Sequence, residues 1–150
     1  MSFDVRVGLL CPAATQTPMA RKHVLIVEDE VPVRRVLMEL AEELGYSVSG
    51  VDDGTRALAE LALQQPDVIL LDLIMPKAEV DGLGFLSRLA GSPAADIPII
   101  VISALGEPLG QEISPEVSSL LRFAAILPKP IPLDALAEAL DQLLGPGSPS

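Results

Sequence analysis

Five polar side chains of three kinds stand at the ends of short apolar runs in this chain. Glu28 and Asp29 follow HVLIV, Asp72 ends DVILLD, Ser103 lies in IPIIVISA, and Lys129 follows AAILP. A carboxylate at the end of an apolar run is costly to bury unless it is paired. Clustered carboxylates repel one another and favour a divalent cation. Mg²⁺ takes oxygen ligands from a few carboxylates together with water and substrate oxygens. Lysine is a compact charge suited to a phosphate or a carboxylate, and a serine hydroxyl can hydrogen-bond a phosphoryl oxygen. A carboxylate held beside Mg²⁺ and a lysine can attack phosphorus and form an acyl phosphate. Positioning and charge neutralisation then supply most of the catalysis.

The elements that would bring these groups together follow from periodicity. HVLIVED, YSVSGV, DVILLD, IPIIVISA and AAIL read as five short strands. DVILLD is continuous and apolar, as in a strand covered on both faces. Between them, Val33, Val36, Leu37, Leu40, Ala41 and Leu44 recur at helical spacing, with Pro32 in the first turn and Gly45 at the end. GTRALAELALQQ carries Leu58, Leu61 and Ala62 on one face, and GLGFLSRLAG reads as a third helix. Asp81-Gly82 is a turn or cap signal, and Met75-Pro76 reads as packing and turn geometry. Ser114-Pro115 opens a further helix whose stripe runs Val117, Leu120, Leu121, Ala124. Leu133, Leu136, Ala137, Leu140, Leu143 and Leu144 make a strongly amphipathic last helix. Strands alternating with helices predict an α/β fold, a doubly wound parallel sheet with helices on both faces. Sites in such sheets lie beyond the carboxyl ends of the strands, where strand order reverses. All five polar groups are strand-end groups.

Length and composition narrow the function. One domain of about 125 residues, 21–145, fits a chain of 150, with residues 1–20 as a flexible leader and 146–150 as a flexible tail. The chain is 49% hydrophobic but only 3% aromatic, so its core must be aliphatic. A formal net charge of −11 argues against direct contact with nucleic acid or an acidic membrane surface. A single cysteine, Cys11, cannot form an internal disulfide and is compatible with a reducing cytoplasm. VRVGLLCPAA is faintly like an export signal, but Asp4, Pro12 and the shortness of the run argue against that. No apolar stretch has the length of a membrane span. His23 reads as a surface residue at a strand start.

Taken singly, each polar group has an ordinary reading: Glu28 and Asp29 a solvated turn, Asp72 a loop acid, Ser103 a polar strand end, Lys129 a surface lysine. Taken in order, VLIVEDE, ILLDLIMP, VISA and LPKP resemble the receiver domain of two-component response regulators, over about residues 22–145. The resemblance implies the flavodoxin-like strand order 2-1-3-4-5. It implies phosphorylation of Asp72 by a histidine kinase, with Mg²⁺ bound by Asp29, Asp72 and the backbone carbonyl of Ile74, and by Glu28 through water. It further implies a switch at Ser103, a phosphate-pairing Lys129, and a cis Lys129-Pro130 bond. A receiver is no enzyme in the ordinary sense; it catalyses only its own phosphorylation and slow dephosphorylation.

The sequence departs from the family in four places. Four residues, Lys77 to Val80, separate Met-Pro from Asp-Gly, where two are typical. Ile126 stands where an aromatic switch residue is usual. The segment 105–115 is longer than usual, which alters the face that commonly binds partners. Ile74 and Leu105 occupy the two variable positions that flank the path of an attacking water, and both are apolar. Since GPGSPS follows the last helix directly, the expectation is a stand-alone, cytoplasmic receiver whose output is a contact with another protein. Competing readings are a relay carrier that passes phosphate to a histidine phosphotransfer protein, a binding module with a vestigial pocket, and a phosphohydrolase.

Overall fold

Residues 21–103 and 114–145 are described by the structure, a computed structural model. The leader and tail assigned to 1–20 and 146–150, most of the long segment at 105–115, and Leu105 lie outside the described residues. The elements are β1 (His23–Val27), α1 (Val31–Glu43), β2 (Ser47–Val51), α2 (Gly54–Leu63), β3 (Val68–Asp72) and α3 (Gly82–Ala90). A short 3₁₀ turn (Pro93–Asp96) leads into β4 (Pro98–Ser103), α4 (Pro115–Leu120), β5 (Arg122–Pro128) and α5 (Leu133–Leu144).

All four strand pairings are parallel, and the order is β2-β1-β3-β4-β5. This is the order 2-1-3-4-5 implied by the resemblance. Successive side chains of a strand point to opposite faces, and the core divides accordingly. Val24 and Ile26 of β1 join Leu37, Tyr46, Leu136 and Leu140 under α1 and α5. Leu25 and Val27 join Phe85, Leu86 and Leu89 under α2 and α3. Helices thus cover both faces, which is why the central strands read as unbroken apolar runs. Because every strand runs the same way, their carboxyl ends share one edge. The order reverses between β1 and β3, and Glu28, Asp29 and Asp72 flank that point.

The helix signals hold locally. Pro32 sits in the first turn of α1, Ser114 caps α4 through Val117 N–H at 3.2 Å, and Asp81 caps α3 through Gly84 N–H at 3.0 Å. Three expectations need correction. The stripe running on to Ala124 does not exist as a helical face: α4 ends at Leu120 and Leu121 is extended. Pairing with β4 claims the chain from Arg122, so the last strand is longer than AAIL. Its register shifts between Ile99 and Ile100, which pair with Phe123 and Ala125, and Ala124 becomes the extra residue of a bulge. His23 is not on the surface. It is buried at 6% exposure, its ring nitrogens lying against the hydroxyls of Ser47 and Ser49 on the neighbouring strand.

Candidate functional site

β3 delivers Asp72 to the sheet edge, where the carboxylate is 2% exposed. Its Oδ2 accepts from Lys129 Nζ at 2.7 Å, and its Oδ1 accepts from Ile74 N–H at 3.2 Å. Lys129 comes from the turn after β5 and is held there by its own N–H, which donates to the Ser103 carbonyl at 3.1 Å. The Lys129-Pro130 bond is cis. Ser103 ends β4 and is buried at 4% exposure. Asp72 on β3 and Lys129 just past β5 are 57 residues apart in sequence, and parallel pairing through β4 brings them together.

The acidic pair after β1 completes the cluster. One oxygen each of Glu28, Asp29 and Asp72 lie within 4.8 Å of one another, and all three residues are buried. Glu28 Oε2 accepts from Glu30 N–H at 3.1 Å, while Oε1 has no hydrogen-bond partner, with Lys129 Nζ 3.6 Å away. Asp29 Oδ2 accepts from Lys77 N–H at 3.0 Å. Burial pushes the Glu28 carboxyl up to about 7, and the Asp72 charge adds to that against the opposing pull of Glu30 N–H and Lys129. Burial also raises Asp72, although its hydrogen bond and charge pairing with Lys129 work the other way. Burial tends to lower Lys129, but the two carboxylates outweigh it and hold the ammonium above its usual value. One ammonium cannot neutralise three carboxylates. A partnerless buried oxygen beside two further acids is the donor set of a hard divalent cation, so the residues present fit Mg²⁺.

Comparisons with known proteins identify the family of the domain that carries this cluster. The sequence profile described as the response regulator receiver domain matches residues 24–141. The chain belongs to that family. A probable transcriptional regulator, ycf27, of Cyanophora paradoxa is 39% identical over 87 residues, covering 58% of this chain and 35% of that protein. The response regulator MprA of Mycobacterium sp. strain KMS is 35% identical over 136 residues, covering 85% of this chain and 56% of that one. Among solved structures, the chemotaxis protein CheY4 of Vibrio cholerae superposes with a TM-score of 0.70 at 25% identity, covering 83% of this chain and all of that one. The receiver spans about a third of the length of the first of these curated relatives, so the expectation of a stand-alone protein takes no support from them.

Every described residue singled out in the sequence is accounted for. Glu28, Asp29, Asp72 and Lys129 meet in one cluster, and Ser103 ends the adjoining strand. Ile74 stands 45% exposed beside Asp72, and Ile126 is 52% exposed on β5, where an aromatic is usual. No described helix is long and apolar enough to cross a membrane. Two contributors were missed. The Lys77 amide on Asp29 is a backbone group and has no side-chain signature. Asp53 was legible as a cap in Asp53-Gly54-Thr55, but its second contact, with residues 79 and 80, is not local.

Proposed function

We propose that this receiver is a Mg²⁺-dependent phosphoacceptor of a two-component system, phosphorylated on Asp72 by a histidine kinase, with output through contact with another protein. The observation that carries this reading is the 2.7 Å pair of Lys129 and Asp72 within a buried three-carboxylate cluster. Receivers as a family work with histidine kinases. In the proposed step a carboxylate oxygen of Asp72 attacks the phosphorus of a phosphohistidine, the nitrogen–phosphorus bond breaks, and an acyl phosphate forms. Lys129 lies at the carboxylate and pairs with the incoming phosphoryl oxygens. Ser103, one strand over, supplies the hydroxyl that responds to the new group. Asp29, Asp72 and the Ile74 carbonyl would hold Mg²⁺, with Glu28 through water, and the ion would neutralise phosphoryl charge.

Residues 21–145 then act as a switch with no other catalytic activity than their own phosphorylation and slow dephosphorylation. The acidic net charge supports a protein partner over direct contact with nucleic acid; the transcriptional regulators among its relatives are much longer chains. The test is incubation with acetyl phosphate and Mg²⁺, followed by intact-mass measurement. One phosphoryl adduct is expected in the wild type and none in Asp72→Asn or in chelator. An adduct that persists in Asp72→Asn would refute the assignment, and no adduct at any Mg²⁺ level would favour the vestigial binding module.

A further inference from the structure

The four residues between Met-Pro and Asp-Gly are tied down at both ends. At one end Lys77 N–H donates to Asp29 Oδ2 at 3.0 Å. At the other, Asp53 Oδ2 accepts from Glu79 N–H at 2.7 Å and from Val80 N–H at 3.4 Å, while Gly54 N–H donates to the Val80 carbonyl at 2.7 Å. Asp53 divides its two oxygens: Oδ1 caps α2 through Thr55 N–H at 2.7 Å, and Oδ2 holds the loop. The Val80 side chain fits because glycine stands in the first turn of each of two helices. A Cβ on Gly54 would lie 2.6 Å from Val80 Cγ1, and one on Gly84 would lie 3.1 Å from it. Residues 77–80 therefore form a built strut between the start of α2 and the acidic cluster.

We propose that Asp53 is a positioning residue for the metal-binding carboxylate Asp29, acting through residues 77–80. The proposal rests on the Mg²⁺-dependent reading above and extends it to a residue outside the cluster. A carboxylate that accepts a fixed N–H on one oxygen presents its other oxygen in a defined direction. Groups that orient metal ligands from behind set affinity by about 10–100-fold. The Asp53 contacts lie nearer to solvent and act at one remove, so the effect belongs at or below the low end of that range. Burial alone would raise the Asp53 carboxyl, but the N–H donors of Thr55, Glu79 and Val80 outweigh it and keep the group ionised and able to accept.

Asp53→Asn and Asp53→Ser separate the two jobs. Each replacement can cap α2 with a single oxygen and lacks a second acceptor for the loop. The experiment is a Mg²⁺ titration of the full chain followed by backbone amide NMR, with melting curves to confirm folding. Both variants are expected to weaken Mg²⁺ binding by about 3- to 10-fold, with the Lys77 amide displaced before any Mg²⁺ is added. Phosphoryl uptake from acetyl phosphate should need correspondingly more Mg²⁺ and approach the wild-type rate as Mg²⁺ saturates. Wild-type Mg²⁺ affinity in both folded variants overturns the proposal alone, as does a lower melting point with no change in affinity. A wild type that binds no Mg²⁺ overturns the phosphoacceptor reading and this proposal with it.

Discussion

Ile74 shows what a single side chain contributes at this site. Its N–H holds Asp72 Oδ1 at 3.2 Å, which fixes its side chain at the mouth beside the carboxylate, where it is 45% exposed. A water attacking an acyl phosphate on Asp72 would pass an apolar group that cannot orient it. General-base or orienting assistance is worth about 10²–10⁴-fold where it is present, so its absence predicts a long-lived phosphoryl group. Replacing Ile74 with Asn and Leu105 with Glu is expected to shorten the lifetime roughly tenfold or more, read by intact mass after the donor is removed; an unchanged lifetime would refute the role. At this scale the sequence is informative where the chemistry resides in a side chain. Asp72, Glu28 and Lys129 are recognisable by type and place. The Lys77 amide is not, because every residue but proline carries the same N–H.

At the scale of elements, the strand ends were legible because each strand advertises its own end. A short unbroken apolar run gives the strand, and a parallel sheet then places all the ends together. What stayed hidden depends on pairing between elements. His23 opposes Ser47 in the β1–β2 register, and that partner, 24 residues away, is what lets an imidazole be buried. The bulge at Ala124 likewise follows from pairing with β4. Gly82 is a further case: it begins α3, yet its constraint comes from β3. A Cβ there would lie 2.6 Å from the Asp72 carbonyl and from Leu73 Cα, and both are backbone. Gly82→Ala should therefore push α3 away from Asp72, at an overpacking cost of about 1–3 kcal/mol. Expected outcomes are a lower melting temperature and slower phosphoryl uptake from acetyl phosphate. Wild-type behaviour in both assays would show that the close approach does not constrain Asp72.

For the whole molecule, the buried acids make stability depend on pH, and with the proposed Mg²⁺ they would make it depend on both together. Glu28 carries a carboxyl raised from 4.5 to about 7, first by burial and then by Asp72. Between those values the folded chain keeps a proton that the unfolded chain has released, so metal-free stability is lost as pH rises through that window. His23 has the opposite sign. Burial lowers it from 6.5, against the pull of Asp67 and Glu60, so its contribution is present above 6.5 and is lost as pH falls through the folded value. His23 begins β1 and Glu28 follows its end, so Mg²⁺ at the acidic edge leaves the His23 contribution unchanged. Comparing melting with and without Mg²⁺ at one pH therefore cancels it. Mg²⁺ held there would bind the ionised carboxylates, and its stabilisation would follow RT ln(1 + [L]/Kd), about 2.7 kcal/mol at a hundredfold excess over Kd, or roughly 10 °C for a chain of this size. The rise in melting temperature on adding Mg²⁺ should be larger at about pH 8 than at about pH 5.5, because protons compete for the same oxygens at the lower pH. Glu28→Gln should shrink the difference between the two pH values by removing one of the competing sites. A rise of equal size at both pH values would mean that the buried acids do not bind the ion, and the charge of the cluster would then have to be balanced by Lys129 and protons alone.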